Sequence, residues 1–174
     1  GYQALENTTV DNDTVAIGVN AARNATSSFS VVIGSQANSV GAMTGDYNTY
    51  VGYVTGYSNT SGANNTGIGR SALTANTTAA QNTAVGHFAL ACNTTCGNLT
   101  AVGFGALCAN TTGTNDTAMG HASLALNTTA SNNTAVGRSA LVANTTGASN
   151  TVIGAFAGDA LTTGSINTFI GFNA

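Results

Sequence analysis

Charge is nearly absent from this chain: only 5% of its 174 residues are Asp, Glu, Lys or Arg. Lysine does not occur, and Arg23, Arg70 and Arg138 stand against Glu6 and five aspartates, a formal charge of −3. Gripping nucleic acid takes a basic patch that neutralises phosphates, and these residues cannot build one, so nucleic acid is excluded as a partner. No run of about 18 apolar residues occurs, so nothing here is expected to insert into a membrane. No secretory leader is visible. Proline is missing, and cysteine is limited to Cys92, Cys96 and Cys108.

What is abundant is Gly, Asn, Thr and Ala, and they recur on a strict period. Val51-Gly52, Ile68-Gly69, Val85-Gly86, Val102-Gly103, Met119-Gly120, Val136-Gly137, Ile153-Gly154 and Ile170-Gly171 stand at a constant spacing of 17. Ile17-Gly18 and Ile33-Gly34 join them with one spacing of 16 and one of 18. A short period sustained along a whole chain is the signature of a solenoid. A rod of near-identical coils has no unique cleft in which to gather catalytic groups, so no enzyme is expected. The spaced Val, Ile and Leu argue against disorder, because every coil has something to bury.

With Gly as position zero, Thr recurs three residues before it, Ala at +3 and Leu at +4, as in Ala106 and Leu107. Thr-x-Val has the period of a strand, which predicts Thr and Val on one face. Ala-Leu predicts a second short strand, and Asn-Thr-Thr with the Gly/Ser/Asn cluster after it predicts turns. A helix is excluded by the frequent Gly and the lack of a 3.6-residue stripe. The expected fold is all-β: a parallel β-solenoid of about ten coils stacked ~4.8 Å apart, a rod of ~50 Å. Val85, Val102, Met119, Val136 and Ile153 are expected inside with Leu90, Leu107, Leu124 and Leu141. Ala101, Ala118 and Ala135 would then form an outer stripe. The array occupies 1–174, with irregular coils over 1–48 and regular ones over 49–174. It opens and closes inside a repeat, so a segment of something longer is expected.

The runs Asn133-Thr134-Ala135-Val136-Gly137-Arg138-Ser139-Ala140-Leu141 and Gly1-Tyr2-Gln3-Ala4-Leu5 resemble the repeats of bacterial and phage tail-fibre-type proteins. Many of those end in an endosialidase-type intramolecular chaperone domain. Thr-Ala-Val-Gly-x-x-Ala is also similar to the head repeats of trimeric autotransporter adhesins. The resemblance spans the chain and is close from about residue 48. It implies a trimeric, left-handed β-roll in an extracellular fibre on a cell or virion, and it fixes no ligand. The pattern departs between Gly18 and Thr49, where the spacing slips and Leu at +4 gives way to Ala22 and Asn38. That leaves the register of the first coils open.

Asn-x-Ser/Thr sequons begin at Asn7, Asn12 and Asn24 and then fall in two columns. One, at +7, is Asn59, Asn76, Asn93, Asn110, Asn127 and Asn144. The other, at +12, is Asn64, Asn98, Asn115 and Asn132. Two readings stand side by side: glycans on surface turns, or amides stacked in hydrogen-bonded ladders. Positions +1 and +2 carry Tyr53, Arg70, His87, Phe104, His121 and Arg138. These form either a stripe for a surface glycan or protein receptor, or an unconstrained face, or side chains packed between subunits. His87 and His121 are two coils apart, ~10 Å, too far to share a metal within one chain. The aspartates lack the nonapeptide of calcium-binding β-rolls. No metal and no cofactor are expected.

The three cysteines sit in adjacent coils, and all three pairings remain open. A homo-oligomer, trimer or filament, is expected, with contact on the outer Ala stripe or the His87/Phe104 stripe. A glycan-coated filament is the alternative. An ice-binding solenoid ranks below both, because Thr94 and Thr95 are adjacent and face opposite ways.

Overall fold

The structure is a computed structural model that describes residues 1–7 and 13–174. Its described residues contain no helix and ten three-residue strands. They are β1 (Val15–Ile17), β2 (Val31–Ile33), β3 (Thr49–Val51), β4 (Thr66–Ile68), β5 (Thr83–Val85), β6 (Thr100–Val102), β7 (Thr117–Met119), β8 (Thr134–Val136), β9 (Thr151–Ile153) and β10 (Thr168–Ile170). They form one sheet in chain order, every neighbour parallel and paired residue for residue. The chain is a parallel β-solenoid. The short and long spacings near the start do not disturb it: Ile17 pairs with Ile33 and Ile33 with Val51. The extra and missing residues are absorbed between the strands.

Each coil has one strand, not two. The Ala-Leu segment is a turn, because Leu73, Leu90, Leu107, Leu124 and Leu141 all have φ between 50° and 54°. A residue in the left-handed region cannot continue a strand, and an L-residue there costs about 1–2 kcal/mol. Complete burial of each leucine, worth about 2 kcal/mol, offsets that cost. Coils remain hydrogen-bonded around this corner, as in Leu90 N–H to the Ala106 carbonyl at 3.1 Å. Glycine at position zero meets both of its requirements at Gly103. Its φ is +137°, and a Cβ would lie 2.4 Å from the Gly120 carbonyl oxygen of the next coil.

Thr and Val do share a face of the strand, but it is the outer one. The middle residue points in: Ala84, Ala101, Ala118, Ala135, Val32, Tyr50 and Val152 are fully buried. Val85, Val102 and Val136 are only half-buried, and Met119 and Ile153 are 43% and 42% exposed. The expected Val/Ile core column and outer Ala stripe are therefore exchanged, while the Leu column is buried as expected. The reason is volume. Two buried amide columns and the leucines already crowd so short a coil, which leaves room for a methyl at the strand centre.

Where the central residue is large, the coil yields elsewhere. Tyr50 is buried against Gly56, which stands at the Leu position, and against Gly67, which stands at the strand centre of the next coil, where Ala84 stands in the coil after it. Phe169 packs beside Gly158, again at the Leu position.

The other half of the interior is polar. Asn59, Asn76, Asn93, Asn110, Asn127 and Asn144 are fully buried. Each Nδ2 from Asn76 onward donates to the Oδ1 of the Asn one coil earlier, at 2.9–3.4 Å. Each of the six also donates to the carbonyl three residues ahead, closing its own turn. A second column, four residues before Gly, contains Asn48, Asn65, Asn82, Leu99, Asp116, Asn133 and Asn150, all buried, and then Asn167. Here the backbone N–H of one coil donates to the side-chain oxygen of the coil before, as in Asn82 to Asn65 at 3.1 Å and Asn133 to Asp116 at 2.8 Å. Buried polar groups are tolerable when paired, and stacking identical coils pairs them. The exception in this column is Asn133 Nδ2, in the coil after Asp116, which has no partner.

Candidate functional site

The burial pattern leaves two surfaces along the rod. The first is the outer face of the sheet. Thr49, Thr66, Thr83, Thr100, Thr117, Thr134, Thr151 and Thr168 form one row, and Val51, Ile68, Val85, Val102, Met119, Val136, Ile153 and Ile170 form the row beside it. The ten strands contain no charged residue. Along the rod the rows repeat at the ordinary strand spacing of ~4.8 Å.

The second surface is the +1/+2 stripe, which divides into two self-stacked groups. His87 stacks on Phe88 at 4.1 Å and meets Phe104 edge-on at 5.3 Å, and Phe104 stacks on His121 at 5.3 Å. The shielded His87 Nε2 has no hydrogen-bond partner. Further along, the Arg138 guanidinium lies 5.2 Å from the centre of the Phe156 ring, and Phe156 meets Phe172 edge-on. Tyr53 and Arg70 are exposed and belong to neither group. Between Phe88 and Phe104, Gly105 has no side chain, which opens an apolar cleft of about 360 Å³. Among the described residues no three His, Cys, Asp or Glu side chains converge as a metal-binding group. No described helix is long and apolar enough to cross a membrane.

The sequon columns part company. At +7 both Nδ2 hydrogens of Asn76, Asn93, Asn110, Asn127 and Asn144 are committed inside the rod, and the buried Asn59 Nδ2 donates to the Gly62 carbonyl, so a glycan on any of the six would break the ladder. The folded rod offers no acceptor there. At +12, Asn64, Asn98, Asn115 and Asn132 are exposed, with φ between 57° and 63°. Asparagine tolerates that geometry better than most residues, which accounts for its recurrence without a glycan. Asn7 donates to Asn24 in a further stacked pair at 3.2 Å, and Asn12 lies outside the described residues.

The second amide column carries no sequon and is the feature a search for sequons passes over. Its signal was recurrence alone, Asn four residues before Gly. Within it, burial raises the Asp116 carboxyl to a pKa of about 6, against opposing hydrogen bonds from Asn133 and Asn127.

Compared with protein-family models, curated proteins and solved structures, the chain gives no match.

Proposed function

We propose that the chain is a structural segment of an extracellular fibre, of tail-fibre or adhesin type, whose rods associate as homo-oligomers through the Thr/Val face. The observation that carries this reading is the uncharged, periodic face along all ten strands. Such a contiguous uncharged surface, with an unbroken row of Val, Ile and Met along it, favours association. A partner can meet every row only if it repeats at the same ~4.8 Å, and a second copy of this chain does. The Ala stripe, being internal, drops out as a contact. The His87/Phe104 stripe varies from coil to coil and is satisfied by its own stacking. It therefore suits display to a surface glycan or protein receptor.

Sedimentation of the isolated segment at micromolar concentration tests this. A trimer or higher homomer is expected, and the double variant Val102→Asp/Val136→Asp should sediment as a folded monomer. A folded wild-type monomer would overturn the association. Thermal hysteresis from such a monomer would instead favour the same face as a water-ordering surface. The glycan-coated alternative now rests on Asn64, Asn98, Asn115 and Asn132, and intact mass of native material decides it.

A further inference from the structure

We propose that Cys92 and Cys108 form an inter-coil dithiol–disulfide couple that staples coil 86–102 to coil 103–119 where one of the two buried side-chain ladders is interrupted. Three observations converge on this pair. The Cys92 N–H donates to the Cys108 carbonyl at 3.1 Å, so the two backbones are direct neighbours across the coil junction. Two turn segments joined by a direct backbone hydrogen bond bring their Cα atoms into the range a disulfide spans. Both residues line the same apolar cleft beside Phe88 and Phe104. The same junction is the one at which the second ladder fails: Leu99 has no side-chain oxygen to offer the N–H of Asp116 in the following coil. Cys96 faces elsewhere, with its sulfur 3.3 Å from the Thr111 carbonyl and packed against the core.

The pair is asymmetric in a way that orders the chemistry. Cys92 is exposed and Cys108 is partly buried. Burial pushes the Cys108 thiol up, and the neighbouring Cys92 adds to that shift. Cys92 is thus the sulfur that meets an oxidant. Its thiolate attacks one sulfur of a low-molecular-weight disulfide and expels one thiolate, leaving a mixed disulfide on Cys92. Cys108 then loses its proton, attacks the Cys92 sulfur and expels the second thiolate. The protein gives up two protons and two electrons, and the small disulfide is reduced to two thiols. The Cys108 sulfur at present donates to the Ala125 carbonyl at 3.4 Å. Forming the disulfide requires the sulfur to give up that weak bond to the following coil.

The test uses the full chain and oxidised glutathione. Chymotrypsin leaves Cys92 and Cys96 on one peptide, so the Cys96→Ser variant is treated beside the wild type. Expected in both are the loss of two hydrogen masses, a peptide joining Cys92 to Cys108, and a melting temperature raised by roughly 5–10 °C that reverts with dithiothreitol. In Cys108→Ser, glutathione should remain on Cys92. Glutathione left on Cys92 of the wild type, a Cys92–Cys96 link, or disulfides between chains as the main product would overturn the proposal.

Discussion

At Asp116 an acid occupies a buried position that asparagine holds in most coils, and the consequence is a pH dependence with a definite sign. Its pKa is about 6 in the folded rod, against an ordinary value of 3.8. The folded state therefore holds the proton more tightly than the unfolded state. Stability from this site is fully present below about pH 4, falls as pH rises through about 6, and stays low above it. The loss is about 2–3 kcal/mol. Thermal melts between pH 4 and 8 should show this decline, and Asp116→Asn should flatten it and raise stability at pH 7. A single amide of the other ladder is testable too. Asn110→Ala removes bonds to Asn93 and Gly113 and takes away one of the three acceptors of the Asn127 amide, which keeps Asp116 and Ala130. It should cost about 2–3 kcal/mol in chemical denaturation.

At the scale of the element, the strand orientation makes a paired prediction. Ala101 is fully buried and the neighbouring Val102 is not. Ala101→Asp buries an unpaired charge and should cost several kcal/mol, seen as loss of the folded β signal in circular dichroism. Val102→Asp should cost the monomer about 1 kcal/mol or less and act on association instead. The opposite ranking would restore the Val column to the core. The turns carry a similar lesson. The recurrence of Leu at +4 was visible in sequence, and so was its burial. Its left-handed backbone was not, because leucine is not a residue that announces positive φ. Only the inter-coil hydrogen bonds around that corner impose it.

For the whole molecule, stability is a sum over coils and the junctions between them. Deleting 120–136 joins Met119 to Gly137 and removes one complete period. That variant should fold with the same circular dichroism and a modestly lower melting temperature. Deleting 121–136 instead leaves Gly120 beside Gly137, slips the register and turns inward side chains outward, and should melt far lower. The tolerance of one-residue slips near Gly18 and Gly34 depends on length being absorbed in the turns of those coils, whereas the regular coils have a buried Asn at +7 that fixes the turn.

The period, the parallel stacking, the glycine column and the leucine column were all determined by the sequence itself, since each is a recurrence that survives any choice of inward face. Which face is inward was not, because Thr-x-Val alternates equally well either way. The structure decides it through volume: leucine and two amide columns leave space for Ala84, Ala101, Ala118 and Ala135, and the larger Val, Ile and Met go outside. The sequons were ambiguous for the same reason, asparagine serving a buried ladder and an exposed turn with one spelling. Only stacking, which supplies each +7 amide with a partner one coil away, separates the two.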